Sequence, residues 1–332
     1  MIRAASGLCL AAMLGGCAGV QSMTGAAGVQ GEQFRSLFWL FLWVTVFFYA
    51  LVIVGLIWAL FRRGDATVGE ADGERRVRPT LIAWMIAVLI GLTSLTVASY
   101  AADRRTASAS DTTAQPYEIQ ITANQWWWDV TYKNGIPGDE VRTANELHLP
   151  VNVPVRVALK SNDVIHSFWI PPLAGKQDLI PGRVNDLVLV PTKVGQFRGQ
   201  CAEFCGAQHA HMAMDVTVEP VADFKRWWQA QHAPAVAPAT ALARAGYDYF
   251  TTHQCASCHT ISGTPASAKF GPDLTHIASR RSIAAGTFPM TRGHLYAWVA
   301  DPQGAKPGTN MPTIGLDAQQ LHAVLAYLGG LK

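Results

Sequence analysis

The chain has 332 residues, is 50% apolar, holds 11 tryptophans, and carries a formal charge of +3 from 26 basic and 23 acidic side chains. So apolar a composition excludes a disordered chain, and so small a charge, with no basic run interleaved with aromatics, argues against a nucleic-acid partner. The length leaves room for two or three domains.

The first segment, MIRAASGLCLAAMLGGC, has an early Arg3, an apolar stretch too short to span a bilayer, and small residues before Cys17. It reads as a lipoprotein-type signal peptide over residues 1–16. Leu14-Gly15-Gly16-Cys17 then resembles a lipobox, Cys17 becomes the lipid-bearing first residue, and Cys9 is removed with the signal. A plain signal peptide or an uncleaved start is the other reading. Ser36 to Phe61 and Thr80 to Ala102 contain no charged residue, and each exceeds the roughly 20 apolar residues needed to cross a hydrocarbon core. Both read as transmembrane helices (36–61 and 80–102) of a membrane anchor over 17–110, in contact with lipid. The loop between them carries Arg62, Arg63, Arg75, Arg76 and Arg78, whereas the far flank offers Arg104 and Arg105. The excess of positive charge places that loop in the cytoplasm and both chain ends in the periplasm.

Over 115–221 the texture changes to short alternating runs such as YEIQITA, WWWDVTY, ELHLPVNVPVRVALK, DLVLVPT and MDVTVEP, broken by Pro, Gly and Asn. These predict the strands of a Greek-key-like barrel or sandwich. A Pro/Ala-rich linker follows over 229–243, and a small α domain over 244–332.

Within the β region GQCAEFCGAQHAHM sets Cys201, Cys205, His209 and Met212 at C-x3-C-x3-H-x2-M spacing, and His166 stands at an earlier strand end in SNDVIHSF. Thiolate, imidazole and thioether together favour copper. A mononuclear blue-copper centre needs one cysteine, so two at this spacing point to a pair of bridging thiolates and a dicopper centre. A structural zinc site and a Cys201–Cys205 disulfide are the alternatives, with Met212 a poor zinc ligand. His148 and His211 read as non-ligands. Strand alternation sets Trp126 and Trp128 on one face and Trp127 on the other, so at least one of the three is ordinary packing. In the last domain CASCH, Cys255 to His259, is the C-x-x-C-H attachment pattern, in which Cys255 and Cys258 link a haem covalently and His259 ligates its iron. A zinc knuckle would require a further pair of ligands. Met311 in GTNMPTIGL and Met290 in TFPM compete for the opposite axial position, while His253, His276 and His294 read as surface or haem-edge residues.

DVIHSFWIPPLAGKQDLIPGR followed by GQCAEFCGAQHAHM resembles the CuA domain of cytochrome c oxidase subunit II, from the two spans to about residue 220. The resemblance implies a cupredoxin-like fold. It also implies a binuclear copper held by His166, Cys201, Cys205, His209, Met212 and the backbone carbonyl of Glu203, with the Glu203 side chain left for magnesium at the junction with subunit I. Trp126, in NQWWWDV, matches the tryptophan through which electrons reach the copper, and Asp163 either orients a ligand or caps a turn. The order of the Met311 loop and the terminal helix resembles class I cytochromes c, as does FGPDL, whose Pro272 would support His259, with Phe250 and Leu328 packed where the first and last helices cross. As a whole the chain resembles subunit II of a caa3-type oxidase. This implies a multi-pass protein of the bacterial inner membrane that takes electrons from a periplasmic donor, cytochrome c or a bc1-type complex. They pass through haem c and CuA to subunit I and its fellow subunits, where dioxygen becomes water with proton translocation. The chain departs from the family where Leu81 stands in PTLIAW in place of a frequent glutamate, which puts proton passage through this subunit in doubt; Glu70 and Glu74 are the nearby acids. A CuA-type nitric oxide reductase subunit and a free-standing membrane electron carrier or copper-delivery protein are the rival readings.

Overall fold

The structure is a computed structural model that describes residues 19–61, 70–110, 117–136 and 138–332. The signal peptide read over 1–16, Cys9, Cys17 and the Arg62–Arg63 part of the inter-span loop lie outside the described residues. The chain divides into two compact units, Glu32–Asp111 and the remainder.

The first unit holds two long helices, α1 (Val29–Phe61), whose first three residues belong to the second unit, and α2 (Glu70–Ser110), each longer than its charge-free span because polar residues extend the helix. Their apolar side chains find little cover: Trp43 is 64% exposed, Trp58 60% and Phe61 84%. Helices of this length and hydropathy are long enough to cross a membrane, and a lipid phase is the solvent that such side chains require. The two helices touch where Phe48 meets Trp84 edge-on at 5.7 Å.

The second unit opens with a stretch that the sequence reading assigned to the anchor. Ala26 and Ala27 are buried, and the Ala27 and Gly31 amides donate to the carbonyls of Pro172 and Leu173 at 2.7 and 3.0 Å. Residues 19–31 therefore belong with the β domain, where their main-chain groups find partners that a membrane anchor could not give. That domain is a two-sheet sandwich. The first sheet runs β3-β2-β1-β5-β8, from β1 (Tyr117–Asn124), β2 (Trp127–Lys133), β3 (Val141–Ala144), β5 (Val155–Ser161) and β8 (Asn185–Leu189). The second runs β4-β10-β9-β6-β7, from β4 (Glu146–Pro150), β6 (His166–Trp169), β7 (Gln177–Leu179), β9 (Gly195–Cys201) and β10 (Ala213–Glu219). Alternation is regular where the hydrophobic pattern is: in β1, Ile119, Ile121 and Ala123 are fully buried between partly exposed neighbours. The inward sets of the two sheets form one core, the packed centre of a sandwich.

Helix α3 (Val221–Gln231) closes one end of this core. Phe224 and Trp228 are buried in it, and Tyr117 and Tyr132 meet Phe224 and Trp228 at ring distances of 5.1 to 6.3 Å. The linker expected over 229–243 therefore starts inside α3 and ends inside α4 (Ala241–Thr252), whose N-cap Thr240 accepts from the Ala243 amide; only 232–240 connect the two. Helix propensity in RWWQAQ overrode the Pro/Ala composition that follows it.

The last domain is helical. Helix α4, α5 (Arg292–Ala300), the short α6 (Pro302–Ala305) and α7 (Ala318–Leu328) enclose a second core, with a small β11–β12 hairpin (Ser282–Ile283 and Phe288–Pro289). Helix α7 starts on a complete capping box, Asp317 with Gln320. Phe250 and Leu328 are buried between α4 and α7, as expected.

Candidate metal and haem sites

The first site sits at the end of the second sheet. Strand β6 delivers His166 and strand β9 ends on Cys201; the loop that returns to β10 carries Glu203, Cys205, His209 and Met212. The Sγ atoms of Cys201 and Cys205 lie 3.7 Å apart, well beyond the roughly 2.05 Å of a disulfide, so both remain thiols. His166 Nδ1 is 3.7 Å from Cys201 Sγ, His209 Nδ1 is 3.6 Å from Cys205 Sγ, and Met212 Sδ is 3.9 Å from Cys205 Sγ. The Glu203 carbonyl lies 3.2 Å from Cys201 Sγ. His166, Cys201 and Cys205 are buried and form the metal-competent group among the described residues. The other four expected donors thus gather around the two cysteine sulfurs.

Electrostatics fit that arrangement. The neighbouring Cys205 thiol and the His166 ring pull Cys201 below its ordinary value, against the cost of burial. Cys205 is pushed up by its sulfur partner and by burial. A cation bound between the two sulfurs would displace their protons and gain two thiolates. Burial opposes a charge on His166, but hydrogen bonding to Cys201 and Asp163 outweighs it and raises that group. Asp163 Oδ1 lies 2.8 Å from His166 Nε2, so the opposite ring nitrogen faces the sulfurs. The same carboxylate accepts from the Gln125 amide at 2.6 Å. The Glu203 side chain points away, half-exposed and 3.9 Å from Lys176 Nζ.

The three tryptophans part company. Trp126 is not on a strand face with Trp128; it lies in the turn before β2, and its Nε1 donates to the Cys205 carbonyl at 3.0 Å. Trp128 is fully buried, with its ring 6.3 Å from His166 and 6.2 Å from Phe168. Gln125 joins Trp126, its Nε2 donating to the same Cys205 carbonyl at 2.7 Å.

The second site is a cavity of about 520 Å³. Cys255, Cys258, His259 and Met311 line it from the α domain, and Trp126 and Trp127 from the β domain. His259 Nδ1 faces the Pro272 carbonyl at 2.8 Å, which leaves Nε2 for the cavity, and burial pulls the ring below its ordinary value, toward the neutral form that ligates metal. Met290 packs on the helical core and is not among the residues that line the cavity. An apolar chamber lined by two thiols, an imidazole and a thioether has the chemistry of a haem site.

Main-chain and side-chain bonds tie the domains together around this chamber. Arg280 from the α domain is buried, and its guanidinium donates to Glu146 Oε1 at 3.4 Å, Thr143 Oγ1 at 3.2 Å and the Asp273 carbonyl at 2.6 Å. Lys306 is 2% exposed. Burial pulls its ammonium down to about 7. No spacing rule marks Lys306, Asn310, Gln125 or Arg280 in the sequence; an isolated lysine or glutamine in a loop reads as solvated until its neighbours are placed.

Soft donors gathered at the end of a sheet, beside an apolar chamber shared by two domains and joined to apolar helices, define a membrane-anchored electron carrier with two redox centres. A cytochrome c oxidase subunit 2 from Alkalihalophilus pseudofirmus is 30% identical over 338 residues, covering 97% of this chain and 95% of that one. The chain belongs to the cytochrome c oxidase subunit II family. Residues 137–221 match the family's periplasmic domain and residues 243–332 match cytochrome c. The corresponding subunit of Bacillus subtilis is 29% identical, over 87% of this chain and 83% of its own length. The crystal structure of the periplasmic domain of subunit II from Bradyrhizobium japonicum is 31% identical and covers 36% of this chain and 94% of that one, at a TM-score of 0.33. The chain is an electron-input oxidase subunit: a membrane protein with a copper-binding periplasmic domain and a haem-binding cytochrome c domain.

Proposed function

We propose that in the bacterial inner membrane this subunit passes electrons from a periplasmic donor, cytochrome c or a bc1-type complex, first to its own haem domain, then to its dicopper domain, and from there to subunit I. His166, Cys201, Cys205, His209, the Met212 thioether and the Glu203 carbonyl would hold the copper pair. Cys255 and Cys258 would fasten the haem, and His259 and Met311 would ligate its iron. When bound, the two groups supply one-electron redox chemistry. The chain's residues do the rest: they fix the geometry so that little rearranges on transfer, exclude water, and hold the centres side by side. Trp126 is the point at which electrons reach the copper domain. The exposed Glu203 carboxylate is the candidate magnesium ligand toward subunit I.

The observation that carries this reading is the set of copper-type donors gathered on two sulfurs 3.7 Å apart, beside a chamber whose wall includes Trp126. The purified complex should show optical and electron paramagnetic resonance signals of a mixed-valence dicopper pair and of low-spin haem c, with oxygen consumed. Zinc in the sulfur site would overturn the copper assignment, and consumption of nitric oxide in place of oxygen would overturn the oxidase assignment.

A further inference from the structure

Lys306 follows α6 in the α domain, and its ammonium has three protons and three acceptors. Nζ donates to the carbonyl of Trp126 at 3.0 Å, of His211 at 2.8 Å and of Ala284 at 3.1 Å. The first belongs to the turn that bonds Cys205, the second to the loop that carries the copper donors, and the third to the haem domain itself. The acceptors are shaped for the purpose. Ala284 and Ala285 both take left-handed backbone angles, φ +53 and +57, which alanine adopts at a cost. That turn presents the Ala284 carbonyl to Lys306 and the Ala285 carbonyl to the Ala213 amide, 2.9 Å away and next to Met212.

Just after Lys306 the same loop makes two more crossings. Gln208 Nε2 donates to the Pro307 carbonyl at 2.7 Å, and Asn310 Nδ2 donates to the Gln125 carbonyl at 2.9 Å. Residue 310 adjoins Met311, and Gln125 is itself bonded to the Cys205 carbonyl. A short chain of covalent and hydrogen bonds thus runs from the Met311 loop to a copper-donor cysteine. A buried amine is costly unless its protons find acceptors, and here the acceptors come from three different segments, so this lysine ties the three together.

We propose that Lys306 is the positioning residue for electron transfer between the two centres, pinning the Met311 loop against the Gln125–Trp126 turn and the copper-donor loop so that electrons enter the copper domain at that turn and pass from it to Cys205. The inference rests on the ligand assignments proposed above. In the step, one electron leaves the ferrous haem iron, which becomes ferric, and is taken up by the oxidised dicopper pair; no bond forms or breaks.

The test uses the full chain in its oxidase complex, with Lys306→Met and Lys306→Arg compared against the parent. Haem and dicopper spectra establish that both centres are loaded. Flash reduction of the haem then gives the rate of transfer to copper, and the enhancement of dicopper spin relaxation by the ferric haem reports their separation. With both centres loaded, Lys306→Met should slow transfer by roughly tenfold or more, as small displacements of reacting partners do, and weaken the relaxation enhancement; Lys306→Arg should recover part of both. An unchanged rate in Lys306→Met, or a slowed rate at unchanged relaxation enhancement, overturns the positioning role. If Lys306→Met fails to load its centres, the arginine variant decides: loaded centres with weakened relaxation enhancement and a slowed rate support the role, and any other outcome assigns the lysine to folding and overturns it. Missing dicopper or haem signals in the parent would instead overturn the ligand assignments.

Discussion

Asp163 decides which nitrogen of His166 meets the sulfurs. Its carboxylate sits 2.8 Å from Nε2, and a ligand imidazole so held loses less freedom on binding metal and is the better base. Asp163→Ala should lower copper affinity by about 10- to 100-fold, as loss of such partners does, measured by competition with a chelator; parent-like affinity would mean that the carboxylate only shapes its turn. The turn reading has support too, because the same side chain accepts from the Val164 amide at 2.7 Å. At the haem, Met311 lines the chamber and Met290 does not. A thioether opposite histidine raises a haem's potential. Met311→Ala should therefore lower the haem potential in a redox titration while the dicopper resonance stays as it was, and Met290→Ala should leave both in place. The opposite pattern would move the axial ligand to Met290.

Helices α4 and α7 cross closely enough that their contact depends on a missing side chain. A Cβ on Gly246 would lie 2.0 Å from the Ala323 carbonyl oxygen, a backbone atom that cannot step aside. Gly246→Ala must push the helices apart and loosen Phe250 and Leu328, which close the haem chamber from that side. The expected cost is at the upper end of overpacking, about 3 kcal/mol, read from denaturant unfolding of the haem-loaded chain; a change below about 1 kcal/mol would show that the crossing is not tight. The 3.6-residue pattern foretold that these two helices exist and pack. It could not foretell how near they come, because the closeness depends on residues some 77 positions apart in sequence, Gly246 and Ala323. Helix α3 teaches the converse: Trp228 stands directly before the segment that reads as linker, and only the aromatic cage of Tyr117, Tyr132 and Phe224 makes it core.

At the scale of the molecule, the β and α domains share buried polar bonds where two independently hung modules would share little. Arg280 is central: its side chain is 5% exposed and is paired with Glu146 at 12%. Removing one partner of a buried pair strands the other, at a cost of about 3–5 kcal/mol. Arg280→Met should lower the stability of the periplasmic part by that order, and calorimetry should resolve separate transitions for the two domains where the parent gives one. A single transition at the parent temperature would mean that the domains are joined mainly by their connection through 232–240. Close fixation of donor beside acceptor is what a two-centre carrier requires, since it removes a diffusive encounter from each turnover.

By itself the sequence determined everything that depends on residue type and local spacing. The charge-free spans, the alternating strands, the sulfur and imidazole donors at C-x3-C-x3-H-x2-M and the C-x-x-C-H pair are all local patterns, and soft donors choose their metals by chemistry that needs no coordinates. The tertiary structure alone decided what depends on distance between remote segments. It placed residues 19–31 on the β sandwich, turned Trp126 toward the Cys205 carbonyl while sinking Trp128 in the core, and closed the haem chamber with the copper domain's own tryptophans. It also buried Lys306 among three carbonyls from two domains. Burial and hydrogen-bond partnership are properties of a neighbourhood, and a chain acquires neighbourhoods only by folding.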